Sequence, residues 1–197
     1  MAAHIFIGTS GWNYAGWKDD FYTGVPRKWW LEYYSERFNA LEGDGTFYHL
    51  LRKNVAKSWY ERTPADFHFA VKGHRYITHI KRLEPSGESL KLQRDSTAPL
   101  GERLAAMLWQ LPASLHKNMR KLAVFITMLA MWPEVRHVIE FRDESWFDDE
   151  VAALMARERI ALCQSMRLRG RCGEQLQPTW CSSACTAMLR VCVELRA

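Results

Sequence analysis

Apolar positions recur along the first 164 residues in two alternating rhythms. "HIFIGTS" (His4–Ser10) is a short apolar run closed by Gly and Ser, the pattern of a first strand. "KWWLEYYSERF" (Lys28–Phe38) places Trp30, Tyr34 and Phe38 four apart, along one face of a helix. "NALEGDGTFY" predicts a second strand weakened by two glycines, at roughly 0.5–1 kcal/mol each. "VAKSWYERT" is helical and halts before Pro64, because the residue ahead of a proline is pushed out of the α region. "DFHFAVK" alternates around Phe67, Phe69 and Val71 as a third strand.

The alternation continues. A polar helical stretch at "SGESLKLQRDS" leads to "RLAAMLWQLP", a fourth strand closed by Pro112. "NMRKLAVFITMLA" is helical and "RHVIEFR" a fifth strand. "DDEVAALMARER" opens with acids in its first turn, where the helix dipole favours them, and "IALCQ" is a sixth strand. Six strands separated by helices predict a parallel α/β sheet or barrel. With neither G-x-G-x-x-G nor G-x-x-x-x-G-K-[ST] present, the usual reasons to prefer an open doubly wound sheet are missing. The expectation is an incomplete TIM-type (β/α) barrel, about six of eight strands, in one domain over residues 1–164.

Barrel chemistry sits at the C-terminal strand ends, and strand alternation shows which side chains share a face there. Glu42 pairs with Asp44 on the second strand, Ala70 with Lys72 on the third, and Leu108 with Gln110 on the fourth. Val138, Glu140 and Arg142 share a face of the fifth, with Ile139 and Phe141 turned to the covering helices. Glu42, Lys72, Gln110, Glu140 and Arg142 are thus expected at one mouth. One reading makes Glu42 or Glu140 a general base and Lys72 or Arg142 an anion partner. The other is a structural ion-pair layer, for instance Glu140 with Lys72, since buried charges need partners.

Beside these, "GWNYAGWKDDFY" gathers Trp12, Tyr14, Trp17, Phe21 and Tyr22 after the first strand, either a ligand-stacking wall or a hydrophobic lid. "RYITHIKRL" carries Arg75, His79, Lys81 and Arg82 on a loop, either a phosphate site or a solvated face. Asp44, Tyr48, His79 and Gln110 complete the candidate binding set with Trp12, Tyr14 and Trp17. No His/Asp/Glu cluster has helical ligand spacing, so neither metal nor cofactor is expected.

Composition changes the picture mainly at the far end. The chain has 197 residues, 48% hydrophobic and 25% charged, as in ordinary globular proteins. No apolar run approaches the roughly 20 residues that cross a bilayer, and no signal peptide is evident, so a cytoplasmic protein is expected. Of the net charge of +5, residues 165–197 carry +3, leaving little over the rest to imply nucleic acid. Cys163 reads as a small buried hydrophobe in a strand. The other four cysteines (Cys172, Cys181, Cys185, Cys192) lie beyond it, in a stretch from Ser165 with no Lys, Asp, His, Phe, Tyr, Ile or Asn.

"IGTSGWNYAGWKDDFY", "TFYHL", "FHFAVKGHRYITHIKRL", "LWQLP" and "EFRDESWF", in that order from about Ile5 to Cys163, resemble the YecE-like family, domain of unknown function 72. The resemblance implies a TIM-type barrel and no established activity. The chain departs from the family pattern in three places. Asp44 stands where the family's E-I-N-x-T-F-Y has Asn, and Asp143 where it commonly has His. The family's seventh strand, Y-V-R-L-H-G, does not appear.

Read two bases later, the codons for Ser182–Met188 can encode Val-Arg-Leu-His-Gly-His, close to that missing motif. Residues 165–197 are therefore expected to be an out-of-frame tail, begun between about Ser165 and Glu174, with a divergent terminus as the alternative. Three functions follow as expectations. The parent barrel is an enzyme on a small anionic or sugar-like ligand such as a phosphosugar. Alternatively, it binds or processes nucleic acid, with aromatics beside Lys and Arg. In the third, the present chain is inactive through truncation.

Overall fold

A computed structural model describes residues 5–163 of the chain. Five parallel strands form one sheet: β1 (Ala40–Gly43), β2 (His68–Lys72), β3 (Leu104–Gln110), β4 (Arg136–Glu140) and β5 (Ala161–Cys163). The helices between them are α1 (Trp30–Ser35), α2 (Lys53–Glu61), α3 (Gly87–Thr97), α4 (Met119–Leu129) and α5 (Asp149–Arg157). Each strand lies beside its predecessor, in the order β1-β2-β3-β4-β5. A doubly wound sheet reverses order at a switch point, whereas a barrel proceeds one strand at a time. The uninterrupted order decides for the barrel arc.

The expected first strand is extended and pairs in parallel with β1. The amides of Ala40 and Glu42 donate to the carbonyls of Ile7 (3.2 Å) and Thr9 (3.0 Å), and that of Gly11 to Glu42 (2.9 Å). Among the described residues it makes one isolated bridge, Ser10 to Glu42, and no regular ladder. The fit is close: a Cβ on Gly8 would stand 1.9 Å from the Ala40 carbonyl oxygen.

Strand alternation sorts the side chains as the pattern implied. Leu41, Phe69, Val71, Met107, Trp109 and Ile139 face outward and pack with buried residues of the helices, among them Trp59, Leu122, Phe125 and Leu154. The inner face carries a separate small cluster, Ala70, Ala106, Leu108 and Val138. Short side chains suit the narrow interior of a closing sheet. The registers are staggered along it: Glu42 lies opposite Ala70, Lys72 opposite Leu108, and Gln110 opposite Glu140. Lys72 and Gln110 thus each stand about one pleat above the inward polar residue of the preceding strand, while Glu140 is level with Gln110.

Three local expectations change. The second strand ends at Gly43, and Asp44–Phe47 turns into a 3-10 helix instead of extending it. Tyr76–Ile80 is a π-helical turn, where a loop was expected. Cys163 is only half-buried, because β5 has β4 as its single neighbour among the described residues. The reading-frame proposal concerns residues 165–197, which lie outside the described residues.

Candidate functional site

Lys72 ends β2 pointing inward, where water is scarce, so its ammonium needs carboxylate partners. It has two. Its Nζ is 3.0 Å from Glu42 Oε1 and 2.7 Å from Asp44 Oδ1. Ser10 Oγ donates to the same Glu42 oxygen at 3.0 Å, joining the first extended segment to the cluster. Glu42 and Lys72 are each 8% exposed, whereas the Asp44 side chain is 44% exposed. Asp44 reaches Lys72 from the first turn of the 3-10 helix, not from a strand face as expected. Thr46 helps hold that turn: its hydroxyl bonds the Lys72 carbonyl at 2.7 Å.

A second charged pair ends β4. Arg142 Nε lies 2.5 Å from Glu140 Oε1, in a direct charge contact off the axis of a hydrogen bond. Arg142 Nη2 donates to Gln110 Oε1 at 3.2 Å. The ion pair expected between Glu140 and Lys72 is not made. Each residue has a nearer partner: Lys72 meets the carboxylates at the end of β1, and Glu140 meets Arg142 two positions on, on the same face.

The two clusters differ in proton affinity. Burial alone pulls the Lys72 ammonium down, but Glu42 and Asp44 outweigh it and hold the pKa above its ordinary value. Lys72 is therefore a fixed cation, suited to stabilising an oxyanion rather than attacking as a free amine. Burial pushes the Glu140 carboxyl up, and the opposing pull of Arg142 and Lys72 does not reverse it. A carboxyl raised in this way can carry a proton nearer neutrality than an exposed glutamate can.

Beside Asp44 opens a cleft of about 440 Å³, lined by Trp12, Tyr14, Asp44, His49, Arg52 and Trp59 among others. Trp12 meets Trp59 edge to face at 5.0 Å. The aromatic loop divides between its two readings. Trp12 and Tyr14 form a wall of the cleft, while Trp17 packs on Phe21 at 5.6 Å and Tyr22 is buried. Tyr48 is 58% exposed and stands outside the cleft lining, its carbonyl meeting His74 Nε2 at 3.1 Å. His79 is on the π-helical turn after β2, edge to face with Phe47 at 4.8 Å.

The fold therefore joins Glu42, Asp44 and Lys72 in one cluster and Gln110, Glu140 and Arg142 in another. Sequence reasoning missed Ser10, Thr46, His49, Arg52 and Trp59. Pairing the first segment with the second strand would have found Ser10, and "TFYHL" contained Thr46 and His49. Nothing in the helical pattern of α2 marked Trp59 as a cleft residue. Among the described residues, no group of three or more His, Cys, Asp and Glu could hold a metal ion. No helix there is long and apolar enough to cross a membrane.

A parallel β/α arc with inward charges at the C-terminal strand ends places the chain in the class of TIM-barrel-like proteins. A family model, "Protein of unknown function DUF72", matches residues 6–195, and the chain belongs to that family. It is 29% identical to UPF0759 protein YecE of Escherichia coli strain K12 over 144 residues, 73% of this chain and 50% of the relative. It is also 29% identical to UPF0759 protein YunF of Bacillus subtilis strain 168 over 152 residues, 52% of that protein. The chain thus spans about half the length of these curated relatives. The crystal structure of a DUF72 family protein (TM1631) from Thermotoga maritima superposes with a TM-score of 0.68 at 26% identity, over 81% of this chain and 64% of that one. A DUF72 family protein (EF0366) from Enterococcus faecalis gives 0.68 at 19% identity, covering 81% and 60%, a likeness of fold alone.

Proposed function

We propose that this barrel mouth is the active site of an enzyme acting on a small polar, anionic substrate of the phosphosugar kind. The observation that carries the reading is a buried lysine, Lys72, held as a cation by Glu42 and Asp44, together with a separate buried carboxyl, Glu140, whose proton affinity burial raises. Those are the two parts needed to move a proton while stabilising the negative charge that forms. Glu140 would exchange the proton, and Lys72 would face the developing oxyanion. Glu42 and Asp44 hold Lys72 in place. The cleft wall of Trp12 and Tyr14 suits the apolar face of a sugar ring.

The test is a panel of phosphosugars, read by thermal stabilisation of the full chain. A ligand that binds the native state raises its melting temperature. At least one member is expected to stabilise the protein, and Lys72→Met and Glu140→Gln to abolish that effect while still unfolding cooperatively. Stabilisation left intact in both variants would remove the proposal. Oligonucleotide affinity that falls steeply with salt, without any phosphosugar effect, would favour the nucleic-acid alternative instead.

A further inference from the structure

The π-helical turn Tyr76–Ile80 follows the end of β2 at Lys72, and its His79 packs on Phe47 of the 3-10 turn that also carries Asp44. The chain there is held in unusual backbone. Arg82 and Leu83 both have positive φ, 48° and 71°, although neither is glycine. Such residues persist only where their surroundings impose them, and Ile77, Thr78 and Leu83 are all buried to 2% exposure or less. The constraint sets the direction of Arg82, whose Nη2 donates to the Ser114 carbonyl at 2.6 Å on the loop after β3. The segment is thus tied to the β3 loop, whose His116 meets Asp143, the neighbour of Arg142 at the end of β4, at 3.1 Å.

Among the described residues, positive charge along it exceeds the acids paired with it. Arg75 is exposed and makes no ion pair among the described residues. Among the described residues, Arg82 bonds only Ser114, a neutral residue. Arg142 shares Glu140, the carboxyl that burial already disfavours as an anion. The carboxylates nearest in sequence are engaged elsewhere, Glu84 with Lys121 at 2.6 Å and Asp143 with His116 at 3.1 Å. His79 sits among these guanidinium groups. Its Nδ1 is 2.9 Å from Thr78 Oγ1, and Nε2 has no partner among the described residues. Burial, then the positive charges of Arg75, Arg142 and Arg82, lower its basicity.

We infer that His79, Arg75, Arg82 and Arg142 form an anion subsite for the phosphate of a small phosphorylated ligand whose uncharged body lies toward Trp12 and Asp44. The inference rests on the proposed function and gives its substrate a direction: acidic groups Glu42 and Asp44 on the β1 side, basic groups on the β2–β4 loop side. A phosphate monoester matches the basic end, since guanidinium groups offer paired donors to its oxygens. The acidic end would repel the same group, so the ligand is accepted in one orientation only.

The probe is inorganic phosphate, titrated into the full chain at constant ionic strength and followed by the His79 ring-proton resonance and by phosphorus line broadening. His79→Gln identifies the resonance. Saturable binding is expected, weakened by about tenfold in Arg75→Gln, the loss that follows removal of one charge-assisted hydrogen bond. Acetate at the same ionic strength should not saturate. The subsite is overturned by any of three results: no saturation by phosphate, equal binding in Arg75→Gln and His79→Gln, or displacement of phosphate by a tighter-binding oligonucleotide. Arg75 is exposed, so its variant is expected to fold. The two proposals fail separately. Phosphate bound at His79 with no phosphosugar sensing Lys72 or Glu140 sinks the proposed function, and the converse sinks the subsite.

Discussion

Glu140 is 4% exposed, and burial raises its proton affinity despite the guanidinium beside it. A carboxyl raised on folding makes the folded state bind its proton more tightly than the unfolded state does. Its stabilisation is thus fully present below the ordinary glutamate pKa of about 4.3 and is lost as pH rises through the higher folded value. Glu140→Gln removes that dependence. The stability of Glu140→Gln relative to the native chain should therefore grow with pH, measured by urea unfolding across the acid-to-neutral range. A difference that is flat or shrinks would show that Arg142 fully offsets the burial. Carboxylates shifted the other way, such as Glu32 beside Arg62, are common to both proteins and cancel in the difference. The residue scale was partly legible in advance. Alternation assigned Glu42, Lys72, Gln110, Glu140 and Arg142 to one mouth, but their partners depended on stagger between strands, which alternation does not encode.

Among the elements, the extended segment before Gly11 has the narrowest tolerance. It stands against β1 through three backbone hydrogen bonds, and Gly8 has no room for a side chain because the obstructing atom is backbone. Gly8→Ala should separate the segment from β1, lowering stability by about 1–3 kcal/mol, as overpacking commonly does. Hydrogen exchange should accelerate at the Ala40, Glu42 and Gly11 amides in particular. Unchanged protection there would mean that the sheet shifts to admit the methyl group. Elements whose pattern spans several residues were readable from sequence: β2 through β5, α4 and α5 fall within their expected stretches, and α2 and α3 overrun theirs by two residues and one. The 3-10 turn at Asp44–Phe47 was not, since two glycines beside Asp44 suit a weak strand and a turn equally. The π-helical turn escaped for a related reason: one inserted residue leaves no period to detect.

At the scale of the molecule, the described arc supplies five strands and one paired segment, and the curated relatives are about twice as long as the stretch matched. The family match continues to residue 195, across the stretch whose composition departs from the rest. The reading-frame proposal for that stretch makes a direct prediction. Resequencing across the codons for Ile160–Ala197, with an intact mass of the native protein, should find a missing or extra base. An unchanged sequence and a mass matching 197 residues would withdraw it.

The sequence by itself determined the alternation of strands and helices, the faces of each strand and, through ordered motifs, the family. All of these are set by neighbours within a few positions along the chain, where side-chain direction follows backbone periodicity. Tertiary structure alone decided which charges meet. Lys72 takes Glu42 and Asp44, Arg142 takes Glu140 and Gln110, and Trp59 joins Trp12 across a cleft. Those pairings depend on strand order, register and helix packing, which bring Lys72 to Asp44 and Arg142 to Gln110 across 28 and 32 positions of chain.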